Sequence, residues 1–247
     1  MNENPVYHFL RSCMIEGSLS AGDRLPAERV LSERFSMSRT RIRETLQVLK
    51  TEGWIYSRPG GGHFVSDQLE KSFSNPLAEI LANNEDSHFD LLEFRLSLEG
   101  DCAYYAALRA TDVDLTTLTE VFEQLSKSSK SNDILASATW DARFHLAIAE
   151  ASHNVIFMHV IKSLFSVFQS TMYQSIQELL ANNITRDSLF NQHAAIYDAI
   201  HNRKPSTARE AAQQHVRYVS DTLQDLVKEK MRTERALRRS HAKKFEL

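Results

Sequence analysis

Six of the chain's seven glycines lie at or before Gly62, and a single proline, Pro205, follows Pro76. Glycine and proline are the residues that interrupt helices and make tight turns. The stretch after Pro76, nearly free of both and carrying apolar residues at helical spacing, is therefore expected to fold as a bundle of helices. The turn formers are gathered in a smaller N-terminal part that folds by a different plan. Polar runs at Ser66–Gln68 and Ser72–Pro76 read as the linker. The expected organisation is a first domain over 1–70, a helical domain over 71–227 and a basic tail over 228–247.

The N-terminal part reads as three helices and a hairpin. Val6 to Glu16 carries Val6, Phe9, Leu10, Cys13 and Met14 on one face, with Gly17 as its stop. A second helix starts at Pro26, in a position where proline is tolerated, and runs through Phe35. Met37-Ser38 turns the chain, and Ser38 is a suitable cap for a third helix through Leu49. Trp54–Ser57 and His63–Ser66 flank Pro59-Gly60-Gly61-Gly62, a strand-turn-strand pattern. Two short helices with a tight turn, followed by a hairpin, make a winged helix-turn-helix. The expected fold class is mainly α, a winged helix-turn-helix followed by an all-helical bundle.

Charge supports that division of labour. The net charge of −3 is uninformative, but its distribution is not. Ser36 to Gly62 holds five Lys/Arg against two Glu, and Lys228 to Lys244 holds eight against two. Ser72 to Val227 holds eleven basic residues against twenty acidic ones. The two ends suit phosphate and the middle does not. No apolar run reaches the length of a membrane span, and Met1-Asn2-Glu3-Asn4 lacks the pattern of a secretory leader. Cys13 and Cys102 lie too far apart in sequence to suggest a disulfide framework, so a reducing cytoplasm is the expected setting.

The second helix of such a unit reads the major groove with its N-terminal residues. Here that end is Ser38-Arg39-Thr40-Arg41-Ile42-Arg43. Ile42, Leu46 and Leu49 form the buried stripe, which leaves Arg39 and Arg43, four apart, on one exposed face beside Thr40. Arginine donates two parallel hydrogen bonds to guanine, and the Ser38 hydroxyl with the helix N-terminus suits a phosphate. The glycines at the hairpin tip let a backbone come close to a minor-groove phosphate.

Farther on, helices are expected over Asp90–Leu108, around Trp140–Ile148, over Asn191–Ile200 and over Ala208–Leu226. Asp141 and His145, four apart, share a helical face. His193 and His215 are each eleven residues from Lys204, at the centre of the bend Arg203-Lys204-Pro205, so they stand at one level on neighbouring antiparallel helices. A carboxylate and three imidazoles meeting at one level make a ligand set for a divalent metal: zinc foremost, with manganese or nickel also suited.

These residues resemble known families. Leu25–Arg29, Ser38–Glu44, Gly53-Trp54-Ile55 and Gly60–Gly62 resemble, in order and spacing over about residues 6–66, the DNA-binding domain of GntR-type transcription regulators. The resemblance implies DNA contacts at Arg29, Ser38, Arg39, Thr40, Arg43 and Gly60. From about Asp90 to Leu226 the chain resembles the FadR-type ligand domain called FCD, an all-helical bundle. In many members an Asp, a His four later and two His on the last helices bind a metal, and Asp141, His145, His193 and His215 match that pattern.

A metal with open positions can take a small carboxylate bearing an adjacent keto or hydroxyl oxygen. Arg95 is placed either to clamp the distal carboxylate or to pair with Glu99 or Glu93; Asn154 either meets the ligand or caps a helix. Asp90–Glu93, Tyr104–Arg109 and Glu234–Arg239, with Ser72–Leu77, look like the pyruvate-responsive branch of the family. Arg143–Asn154 looks like its lactate- and glycolate-responsive branches. The expected protein is a homodimeric repressor of carboxylate metabolism that binds operator DNA and a small acid, with no membrane partner. One rival is a regulator whose metal is purely structural. Another is a metal-dependent bundle enzyme, since Glu150-x-x-His153 and Glu85-x-x-His88 have di-iron spacing. The polar surroundings of Glu85 and the lack of a phosphate loop or Ser-His-Asp order speak against catalysis.

Overall fold

Asn4 opens the first helix, α1 (Pro5–Ile15): its side-chain oxygen accepts from Val6 N at 3.0 Å, and Pro5 needs no donor there. This computed structural model describes residues 4–67, 76–81, 87–131, 133–181 and 183–244. The chain divides into two units, Met1–Pro76 and Leu77–Leu247. Of the expected linker, Ser66–Gln68 and Ser72–Pro76, only Ser66, Asp67 and Pro76 are among the described residues; Glu85 lies outside them.

The first unit holds α1, α2 (Glu28–Phe35), α3 (Arg39–Thr51), β1 (Ile55–Arg58) and β2 (Gly62–Val65). Val6 and Leu10 of α1, Leu31 of α2, and Ile42, Leu46 and Leu49 of α3 are fully buried together. The strands pair antiparallel, Ile55 with Val65 and Arg58 with Gly62. Helix α2 begins two residues later than the proline suggests. The reason is that Arg24 bridges Phe64 and Leu25 N donates to His63 O at 2.9 Å, so the chain entering Pro26 is held extended against β2. Between α2 and α3, Ser36 takes a left-handed conformation (φ 53°), and Ser38 accepts from Arg41 N at 3.3 Å to cap α3.

The second unit holds α4 (Ser87–Arg109), α5 (Asp112–Ser129), α6 (Ile134–Ala151), α7 (Val155–Ala181), α8 (Asn183–His201) and α9 (Pro205–Lys244). Helices α5 and α7 are additions to the four expected from periodicity. The start of α5 does carry a signal: Thr111 and Asp114 form a reciprocal capping box. The core joins Ala103, Ala106 and Ala107 of α4 to Phe144 and Ile148 of α6, Ile196 and Ile200 of α8, and Ala208 and Ala212 of α9. Small residues let α4 and α9 run close. At Gly100 an added Cβ would stand 2.9 Å from Gln213 Cγ, which explains the single glycine of this unit. The bend between α8 and α9 falls at Arg203, which is left-handed (φ 55°).

The basic tail is not a separate segment. Helix α9 continues through it to Lys244, and every side chain from Val227 to Ser240 is exposed. No described helix is long and apolar enough to cross a membrane.

Candidate metal centre and DNA-reading face

Helices α6, α8 and α9 bring His145, His193 and His215 together inside the second unit. Their ring centroids are 5.3 Å (His145–His193), 5.2 Å (His145–His215) and 4.4 Å (His193–His215) apart. One nitrogen of each lies within 4.8 Å of the others, and all three residues are buried. Among the described residues this is the one group of its kind.

The outer face of each ring is organised. His145 Nδ1 lies 2.9 Å from Glu99 Oε2, while Glu99 Oε1 accepts from Arg95 Nε at 2.6 Å. His215 Nδ1 lies 3.1 Å from Gln192 Oε1, an oxygen that can only accept, so the proton sits on Nδ1 and Nε2 keeps its lone pair. His145 Nε2 and His193 Nε2 are buried without a hydrogen-bond partner. Leaving such atoms unmatched costs about 1–3 kcal/mol each, which marks them as groups awaiting a ligand. Asp141 is about one-third exposed (35%), and its Oδ1 stands 3.1 Å from His193 Nε2. Two donors at that separation, not arranged as a hydrogen bond, match neighbouring ligands on one ion with bonds of about 2.0–2.2 Å. The residues present therefore fit a divalent first-row ion.

Spacing puts Asp141 and His145 on one face of α6. The structure adds that the carboxylate is set against His193 of α8, at the rim of the cluster. There Asp141 and His193 line a small cleft of about 20 Å³ with Leu125, Ser137, Arg186 and Phe190.

Electrostatics agree with this order. Burial pushes the Glu99 carboxyl up, but Arg95 and His145 beside it outweigh burial and hold it well below the usual range. Burial also raises Asp141, yet the His193 ring set against its carboxylate, with His145 and Arg95 farther off, brings it down to about 2. His215 is pushed well below the ordinary imidazole value by burial and by His193 and His145, so it is neutral at pH 7, the form that binds metal. His145 goes the other way: Glu99 overcomes burial and raises it.

Sequence names Glu99 only as a partner for Arg95 and misses its hold on His145. Only the burial of Glu99 is signalled, because Leu92, Arg95, Glu99, Cys102, Ala103 and Ala106 lie on one stripe of α4 at three- and four-residue steps, and all are buried. Of the two readings of Arg95, the pair with Glu99 is the one seen, with the guanidinium 4.7 Å from the Phe165 ring centroid.

One sequence reading is settled and one needs correction. Of the two readings of Asn154, the helix cap is the one seen: its side chain caps α7, accepting from Ile156 N at 3.0 Å and Phe157 N at 3.3 Å. Its replacement by Ala is expected to cost about 1 kcal/mol in urea unfolding and to leave metal affinity unchanged; weaker zinc binding would restore a place for it in the site. Glu150 and His153 do not share a helical face. Helix α6 ends at Ala151, His153 is left-handed (φ 51°), and its Nε2 lies 2.8 Å from Asp114 Oδ2 of α5.

In the first unit, Ser38, Arg39, Thr40 and Arg43 are exposed at the start of α3, and Arg29 is exposed on α2. Arg43 forks onto Glu28 at 3.2 and 2.9 Å, and Arg29 pairs with Glu33 at 2.7 Å. Arg39 has no ion-pair partner among the described residues. At the wing, Gly60 is exposed with φ +68°, and nothing lies within 4 Å of where its Cβ would be. Its glycine is required by backbone conformation rather than by packing. Two more cations escape the sequence reading. Arg24 reaches to within 3.5 Å of the Gly62 Cβ position, and Arg58 lies over the Phe64 ring at 4.6 Å. The signal for Arg58 is its place at the end of the first strand, directly before the glycine turn.

Comparison with known proteins agrees with both units. Residues 2–65 match the model of bacterial regulatory proteins of the gntR family, and residues 90–218 match that of the FCD domain. The chain is 36% identical over 233 residues to the "Putative L-lactate dehydrogenase operon regulatory protein" of Escherichia coli K12, covering 93% of this chain and 89% of that protein. It is 33% identical over 224 residues to the Glc operon transcriptional activator of the same strain, covering 90% and 88%. Among solved structures, a Streptococcus agalactiae GntR superposes with a TM-score of 0.56 at 26% identity, covering 88% of this chain and 98% of that one.

Proposed function

The chain belongs to the GntR family of bacterial regulatory proteins and carries an FCD domain, and from that premise we propose that it is a repressor whose hold on its operator is set by a small 2-hydroxy or 2-keto acid. As a member of that family it is a DNA-binding transcription regulator and not an enzyme. In our reading Asp141, His145, His193 and His215 hold a divalent ion, zinc foremost, and lactate or pyruvate binds beside it. Lactate is favoured by the likeness to the L-lactate dehydrogenase operon regulatory protein described above. The single observation that carries the metal is the pair of buried, unpartnered Nε2 atoms of His145 and His193, facing the neutral imidazole of His215.

The ion, when bound, supplies a Lewis-acid centre with positions left for an acid's oxygens. This chain's own residues do the rest. Glu99 fixes the tautomer and direction of His145, Gln192 does so for His215, and Arg95 adds positive charge without facing solvent. Homodimers would set two copies of α3 on successive major grooves, and acid binding would shift their spacing with a coupling of about 1–3 kcal/mol.

Thermal unfolding tests this reading. Zinc should raise the melting temperature of chelator-treated protein, and lactate or pyruvate should raise it further only with zinc present. A ligand at a hundred times its Kd stabilises by about 2.7 kcal/mol. Operator affinity, followed by fluorescence anisotropy, should fall on adding the same acid. The depth of the three histidines also favours a purely structural ion. That rival replaces the effector reading if zinc stabilises and lactate, pyruvate, glycolate and citrate all leave melting and DNA binding unchanged.

A further inference from the structure

We propose that the exposed extension of α9 is a second DNA-contact element, which grips the phosphate backbone through Arg232, Arg235, Arg238 and Arg239. The proposal rests on the DNA-binding reading of the family and adds a site outside the winged unit.

Up to Leu223, α9 behaves as a bundle helix, burying Ala208, Ala212, Val216, Val219 and Leu223. From Val227 to Ser240 it buries nothing. Isolated helices draw little stability from propensity alone, so a helix that leaves its bundle needs another surface to rest on. The extension to Lys244 is about 27 Å long, comparable to about eight base pairs of duplex.

Its chemistry names the partner. Lys228 to Lys244 carries eight cations and only Glu229 and Glu234 as anions. Arg232, Arg235 and Arg239 follow one another at three- and four-residue steps, which brings like charges together on one face and disfavours the free helix. The four arginines border one open, solvent-filled space along the helix, and none has an ion-pair partner among the described residues. Guanidinium groups gathered in this way match phosphate oxygens geometrically as well as by charge. The remainder of the second unit is strongly acidic and repels a polyanion, so its phosphate affinity is concentrated in this arm.

The test compares wild-type protein with R232Q/R235Q/R238Q/R239Q, a set of exposed changes that keep helix propensity. Both are titrated, across a salt series, against a duplex selected by the wild type from a randomised pool and against a scrambled duplex of equal length. The slope of log affinity against log salt should become shallower by about 0.9 for each phosphate that the variant no longer neutralises, equally on the two duplexes. At low salt the variant should bind both about tenfold more weakly or worse, with the preference between them unchanged. Equal slopes for wild type and variant overturn the arm. So does a change in sedimentation with the slope unchanged, which would assign the arginines to the acidic surface of a second copy. Failure of the wild type to bind any duplex would instead sink the DNA-binding reading on which the proposal rests, a separately recognisable result.

Discussion

Replacing Glu99 with Leu is expected to cost about 3–5 kcal/mol in urea unfolding of the metal-free protein, because it takes the paired carboxylate away from a buried guanidinium. Arg95 and Glu99 are each only 3% exposed, and the carboxylate is held ionised by that cation and by His145. Leucine fills a similar volume, so the loss reports the broken ion pair rather than a cavity. Adding Arg95→Met should return most of the stability, since a buried ion pair replaced on both sides by apolar groups is often neutral. Metal affinity should behave differently. In the single and the double variant alike, His145 loses the acceptor that orients it, and zinc binding measured against a competing chelator should fall about 10–100-fold. Recovery of stability without recovery of affinity separates the two roles of one carboxylate. If the single variant lost under about 1 kcal/mol, the pair would not be isolated from water as described.

That double role also shows where sequence reasoning reaches and where it stops. Periodicity locates Ile42, Leu46 and Leu49 as the buried stripe of α3, and all three are fully buried. Symmetry about the Arg203–Pro205 bend puts His193 and His215 at one level, and their rings lie 4.4 Å apart. Both inferences use one helix or one hairpin, where spacing in sequence fixes spacing in space. The contact of Glu99 with His145 joins α4 to α6, and that of His215 with Gln192 joins α9 to α8. The first rests on the pose of one helix against another, which repeats of three and four do not encode. Asn154 takes the second of its two readings, the cap, for a local reason. A left-handed residue at His153 ends one helix and makes its neighbour the cap of the next. The tail escapes a reading by charge because charge says nothing of whether a helix continues through it.

Arg39→Ala should abolish most sequence preference in DNA binding, a loss of about 1–3 kcal/mol or about 5–150-fold between a selected and a scrambled duplex. The three cations near the groove are not equivalent in the free protein. Arg43 is already forked onto Glu28 and Arg29 onto Glu33, whereas Arg39 has no competing ion pair to leave among the described residues. Contact with a base therefore requires Arg43 to exchange one partner for another, and the net gain shrinks accordingly. The order of effect should be Arg39 first, Arg43 second and Arg29 last. Glu28→Gln should release Arg43 and strengthen binding to both duplexes, with a steeper salt dependence. Because the three arginines are exposed, melting temperature and sedimentation should not change when any one of them is replaced. Arg39→Ala protein that still preferred the selected duplex as strongly as wild type would move base reading away from the start of α3. Arg24 and Arg58 beside the wing would then be the next residues to replace.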